Sequence, residues 1–217
     1  MQFHVWGIVS SFLYFCTWYG FFHQFQLLRD RRQLGLQKYT HHLSAQQFLT
    51  SFAACFAIFF LGLTRPEFNH YLVWPRLGAL FLMIAVLWEI HLDRRSHFSI
   101  VSVIATAIAL SIGVVLMMLR PLPFAISISA DLLAVAIAAI LAYGILHQIR
   151  LFATVPNIPL SGTLLLSLVV KDFATVGFGL TMPLEVAWSL LLLNGSSFIL
   201  KSYLLIQVSR ASISKNR

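Results

Sequence analysis

The sequence predicts an all-α membrane protein with seven transmembrane helices in a 3+1+3 parallel-repeat arrangement, its N-terminus outside and its C-terminus in the cytosol. Three observations predict it. The chain of 217 residues is 59% hydrophobic and only 10% charged, far less charge than a soluble domain of that length carries. Its apolar runs, such as 100–119 and 124–148, are long enough to cross a bilayer as helices and show no strand alternation. One block also occurs twice: Tyr19-Gly20-x-x-His23-Gln24-x-x-Leu27 returns as Tyr143-Gly144-x-x-His147-Gln148-x-x-Leu151, at an offset of 124.

The bilayer dictates the elements. Backbone groups in hydrocarbon must be satisfied internally, so a spanning segment is a helix or part of a closed barrel. The expected spans are 3–24, 44–63, 71–92, 98–119, 124–148, 159–181 and 184–207, which leaves no room for a soluble domain. The first apolar segment has no basic leader and runs into the repeated block, so it is expected to stay as the first helix. Cys16 and Cys55 lie inside spans and read as small apolar packing residues.

The net charge of +8 is distributed as a topology signal. Arg29, Arg31, Arg32, Lys38, Arg94, Arg95, Arg150, Arg210, Lys215 and Arg217 fall on one side; Arg65, Arg76 and Arg120 fall on the other. The positive-inside rule puts the first group in the cytosol. This basic surface is expected to touch anionic lipid, with no nucleic-acid partner.

The repeat fixes the arrangement. A second matched pair, Gly62-Leu63-Thr64-x-Pro66 with Gly179-Leu180-Thr181-x-Pro183, stands at an offset of 117, as do Leu43-Ser44 and Leu160-Ser161. Three spans reverse direction, yet the basic segments after the first and fifth helices share a side. The repeats are therefore parallel and the fourth helix restores the orientation. The expected division is 1–92 as the first three-helix bundle, 93–121 as a linker helix at the periphery, and 122–217 as the second bundle. Pro66 and Pro183 fit first-turn positions of the third and seventh helices.

Polar residues at membrane depth are costly and mark a cavity or a partner. Thr163, Ser167, Lys171, Thr175 and Gly179 form one stripe of the sixth helix. Asp172 points about 100° away from Lys171 and need not pair with it. Asp131 in the fifth helix and Asn194, Ser197 and Lys201 in the seventh complete the polar set, with Trp188, Tyr14 and Trp18 as flat walls. Lys171 reads either as a cavity cation or as half of a buried pair with Asp131 or Asp172. Lys201 and Glu89, near span ends, read as snorkelling. His23-Gln24 and His147-Gln148 read as helix-end hydrogen-bonding residues or as an inner gate whose imidazoles respond to pH. A metal or haem held by the two histidines is the weakest alternative, because no further ligand stands at a supporting spacing. His41 and His42 read as solvated loop residues. The Asn194-Gly195-Ser196 sequon lies within a span and is discarded. No nucleophile motif, phosphate loop or paired-carboxylate constellation points to an enzyme, and no cofactor is expected.

Seven spans, a 3+1+3 layout and a Gln near the inner ends of the first and fifth helices resemble the PQ-loop superfamily. Its members include the SWEET sugar transporters, the lysosomal cystine and cationic amino-acid exporters and the KDEL receptors. The motif runs from Gln24 through Arg29-Asp30-Arg31-Arg32 to Leu43-Ser44, and from Gln148 through Arg150 to Leu160-Ser161-Gly162. His23 and His147 stand where the family has the prolines of its hinges. The resemblance implies two bundles rocking about a midplane site, with Asn194 similar to a substrate-contacting Asn of the last helix.

The expected function is alternating-access transport of a small polar solute. Lys171, Asp172 and Asp131 favour a charged or zwitterionic, amino-acid-like solute, with proton coupling permitted. The alternatives are a KDEL-receptor-like binder of a peptide carboxylate and a SWEET-like sugar uniporter. The expected location is a bacterial inner membrane or a eukaryotic plasma membrane or endomembrane, and a homo-oligomer is compatible with the sequence.

Overall fold

The computed structural model describes residues 1–36, 38–40, 43–154 and 162–215, with side chains for all of these but 151–154, 162–164 and 210–215. His41, His42, Leu160, Ser161 and Arg217, and the side chains of Thr163, Arg210 and Lys215, lie outside the described set. Among the described residues seven helices follow one another: α1 (Gln2–Gln33), α2 (Ala45–Thr64), α3 (His70–Arg94), α4 (His97–Met118), α5 (Phe124–Thr154), α6 (Gly162–Gly179) and α7 (Leu184–Lys215). Among the described residues six are long and apolar enough to cross a membrane. Residues 159–161 of the expected sixth span lie outside the described set; the described α6 is 18 residues long and carries Lys171 and Asp172 at its middle. α1, α5 and α7, at 32, 31 and 32 residues, each extend about 45–50 Å and overrun a ~30 Å hydrocarbon core. The overrun of α1 holds Arg29, Arg31 and Arg32.

Side chains in the connecting segments set the helix starts. Ser44 accepts a hydrogen bond from the Gln47 amide to begin α2, Asn69 accepts one from Leu72 to begin α3, and Ser96 accepts one from Ser99 to begin α4. α7 starts at Leu184, so Pro183 stands one place before the first-turn position expected for it, its carbonyl accepting from the Ala187 amide at 3.0 Å. Pro66 does not occupy a first-turn position: α3 begins only at His70, and the Pro66 carbonyl accepts a hydrogen bond from Arg120 Nη2 at 2.9 Å. The four-residue difference arises because Asn69 is the better cap.

The helices gather into two compact units, Ser11–Asp131 and Met1–Ser10 with Leu132–Arg217. The divisions between these units fall inside α1 and α5. In the Ser11–Asp131 unit, Phe52, Cys55, Phe59 and Leu63 of α2 pack with Val73, Ala79, Leu80 and Met83 of α3 and Leu110 of α4. Phe52, Phe56 and Phe60 stack one turn apart along α2, with ring centroids 6.0 and 5.9 Å apart. α4 is more than the peripheral linker expected. Its stripe of Ser99, Ser102, Val103, Thr106, Leu110 and Gly113 is buried, and a Cβ on Gly113 would come within 2.7 Å of Phe59. The hydroxyls of Ser102 and Thr106 are satisfied by carbonyls one turn back in α4, those of Phe98 and Ser102.

The other unit is built on α6 and α7. Phe3 and Trp6, at the start of α1, pack on Phe178 and Phe173, and a Cβ on Gly177 would come within 2.6 Å of the Trp6 ring. The matched glycines of the sequence repeats do the same packing work in each unit. A Cβ on Gly62 would approach Leu72 of α3 to 2.6 Å, and one on Gly179 would approach Leu191 of α7 to 2.7 Å. Each glycine permits the close crossing of its helix with the next, as small residues do in membrane helices.

Candidate functional site

The polar residues of α6 and α7 converge on one carboxylate. Asp172 is 2% exposed, and its Oδ2 accepts hydrogen bonds from Lys201 Nζ at 2.7 Å and Ser197 Oγ at 2.8 Å. Lys171 Nζ lies 3.6 Å from Oδ1. Ser197 and Lys201 are four residues apart and share one face of α7. Thr175 Oγ1 donates to the Lys171 carbonyl. Two ammonium groups therefore approach one carboxylate. Lys171 has the more accessible side chain, 22% exposed against 3% for Asp172.

Of the two readings of Lys171, the structure supplies the ion pair with Asp172: the long lysine side chain swings through the helical offset between adjacent Cα atoms. One expectation is corrected: Lys201 does not snorkel; its ammonium is held inward by Asp172. Asn194 is buried on the same stripe, but its amide donates to the Leu190 carbonyl of its own helix. Trp188 is 40% exposed and stands about 120° around the helix from Asn194, so it is no wall of this cluster.

The remaining predicted residues belong to the Ser11–Asp131 unit or to the exposed repeat block. Asp131 faces Arg65 in a two-point ion pair, Nη2 to Oδ1 at 2.6 Å and Nη1 to Oδ2 at 3.3 Å, with Ser127 Oγ also accepting from Nη1. This pair ties the end of α2 to the start of α5, so Asp131 has a structural partner that the sequence reading did not give it. Tyr14 is 4% exposed and lies under the Arg76 guanidinium, 4.3 Å from ring centroid to Cζ. Trp18 donates from Nε1 to the Pro75 carbonyl at 2.6 Å. Both aromatic residues are thus committed to α3. His23 is exposed and stacks on Tyr19 with centroids 6.2 Å apart; His147 and Gln148 are exposed, and Gln24 is half-buried. Tyr19 and Tyr143, the matched tyrosines, are both 73% exposed.

The basic end of α1 is more structural than its charge implied. Arg32 pairs with Glu89 at 3.3 Å, and Glu89 is 2% exposed. Glu89 is therefore a buried partner rather than a snorkelling residue. Thr40 donates through both its amide and its hydroxyl to Asp93 Oδ2, at 2.9 and 2.6 Å. Arg94 donates to the carbonyls of Thr40 and Leu43. Beside this lattice runs an open groove of about 470 Å³ lined by Phe25, Arg29, Arg32, Phe81, Ile84 and Trp88 among others.

Tyr39 donates to Glu89 Oε2 at 3.4 Å. Burial, then the carboxylates of Glu89 and Asp93, push its pKa up to about 12 from 10.0. The neutral phenol is the form the fold favours, so its contribution is complete below pH 10 and is lost as pH rises towards 12. In a tyrosinate absorbance titration of the folded protein, Tyr39→Phe should remove a phase centred near pH 12. An unaltered titration curve near that pH would mean that the Glu89 and Asp93 carboxylates do not hold the phenol neutral.

Among the described residues no three His, Cys, Asp or Glu side chains converge as a metal site. Sequence reasoning also missed the burial of Arg65 and Arg76 by assigning both to a membrane surface; for Arg76 the adjoining Pro75 was the available signal. Comparison of the chain with protein-family models, with curated proteins and with solved structures finds no match.

Proposed function

We propose that this chain is a membrane transporter of a small charged or zwitterionic, amino-acid-like solute, working by alternating access. The observation that carries this reading is the α6–α7 cluster, where one buried carboxylate is met by two ammonium groups. Such an arrangement at membrane depth is expensive unless it serves a solute or a proton. The Lys171 ammonium, the more accessible of the two, suits a solute carboxylate. Protonation of Asp172 at Oδ2 would weaken its hold on Lys201 and free that ammonium for the solute, which is a route to proton coupling. The proposal includes the PQ-loop-like parallel repeat arrangement, N-terminus outside, and is supported by the equivalent roles of Gly62 and Gly179.

Uptake into proteoliposomes tests it. Lys171→Ala should weaken apparent affinity for an anionic or zwitterionic solute by tenfold or more, the effect of losing about 1.4 kcal/mol of binding. Unchanged uptake and affinity would remove Lys171 from the site, and indifference to an imposed pH gradient would remove the coupling. The same accessible ammonium favours a second reading, a receptor for a peptide carboxylate. That reading requires saturable binding of a peptide tail without solute flux. Uptake of neutral sugars that is indifferent to both Lys171→Ala and pH would return the sugar-uniporter alternative.

A further inference from the structure

Arg76 is fully buried in α3, at 0% exposure, six residues after the helix begins. Its place follows from the residue before it. Pro75 has no amide hydrogen, so the Tyr71 carbonyl one turn back loses its usual helical donor. Arg76 Nη1 supplies a donor to that carbonyl at 2.8 Å, and Ser11 Oγ approaches the same oxygen at 3.4 Å. The Tyr14 ring covers one face of the guanidinium. Trp18 and Cys55 donate to the carbonyls of Pro75 and Arg76, fixing the backbone on either side. The guanidinium is therefore held by one edge and one face.

Its other edge is unused. Nε and Nη2 are buried and have no hydrogen-bond partner, and no carboxylate among the described residues forms an ion pair with this side chain. These two nitrogens present their hydrogens side by side, in the geometry that takes both oxygens of a carboxylate. A charged guanidinium with two idle donors is an arrangement a membrane helix bundle rarely tolerates unless an anion completes it.

We infer that the Nε–Nη2 edge of Arg76 is a binding site for a small carboxylate, held within the α1–α2–α3 packing. The complete enclosure of the guanidinium limits the ligand to a small head, of the size of formate or acetate. The site is built from different residues than the Lys171–Asp172–Lys201 cluster and does not depend on that cluster's function.

Thermal unfolding of the purified full-length chain in lipid nanodiscs provides the test, with formate as the probe and chloride at matched ionic strength as the control. Formate should raise the apparent Tm saturably by a few degrees, because a ligand that binds only the folded state stabilises it. Arg76→Lys keeps the charge but loses the two-donor edge, so it should weaken the formate response at least tenfold. Arg76→Met should abolish it while leaving the formate-free Tm unchanged or higher, since a buried cation is replaced by an apolar chain. Lys171→Ala should leave it intact. The inference is overturned if wild type shows no saturable response, if chloride acts equally, or if the response survives Arg76→Met. The wild-type comparison stands even if the Arg76 variants fail to fold.

Discussion

Asp172→Ala should destabilise the protein by roughly 3–5 kcal/mol, the range for removing one partner from a buried ion pair. The estimate rests on what is left behind. Lys201 and Lys171 would face each other's charge without the carboxylate that both approach, and Ser197 would lose its acceptor. Asp172→Asn should do nearly as much harm, because it keeps the shape and removes the charge. Rescue discriminates between structural causes. In Asp172→Ala/Lys201→Met the buried ammonium at 2.7 Å is replaced by an apolar side chain of similar length, and most of the lost stability should return. Thermal or denaturant unfolding in nanodiscs measures all three variants. If Asp172→Ala unfolds like wild type, the lysines reach water without their partner and the cluster is no buried ionic site.

The helices were legible in the chain because the bilayer leaves little choice. Long apolar runs separated by charged segments gave the seven elements, and Ser44 marked the start of α2 as the repeat had indicated. The matched Gly62 and Gly179 were legible as repeat positions, though their packing role was not. What escaped was pairing between residues far apart in sequence. Arg65 and Asp131 are separated by 66 positions, and nothing in their local pattern links them. The pairing of Lys171 with Asp172 was one of two readings the sequence left open, because helical angles describe Cβ directions whereas a lysine ammonium reaches its target through a flexible stem. Glu89 and Arg32 escaped in another way, since a position near a span end was equated with exposure. A helix end in a bundle can be covered by the loop beside it, and here Tyr39 and Thr40 lie against α3.

Tyr14 and Trp18 show how an aromatic residue facing a polar one is misread. The sequence reading made them flat walls of a solute site. The structure supplies their polar neighbours from α3, as a guanidinium over Tyr14 and a carbonyl under Trp18. The exposed Tyr19 and His23, by contrast, lie on a face that the rest of the described chain leaves open, and a Cβ on Gly20 would meet nothing within 4 Å.

Gly78→Ala should cost roughly 1–3 kcal/mol from overpacking alone, and about 1 kcal/mol more if the displaced Trp18 loses its hydrogen bond. The added Cβ would overlap the six-membered ring of Trp18. The indole has little freedom to yield. Its Nε1 is held by the Pro75 carbonyl at 2.6 Å, and Phe15 meets its ring edge-on at a centroid distance of 4.8 Å. Moving it would also disturb the backbone beside Arg76, so the stability loss should come with a change in tryptophan emission. A double-mutant cycle isolates the contact. Trp18→Phe removes the overlapping atoms, and in that background Gly78→Ala should become nearly neutral, giving a coupling of at least about 1 kcal/mol. Additive losses in the two variants would mean that α1 and α3 separate readily at this crossing and that Gly78 is not what sets their approach.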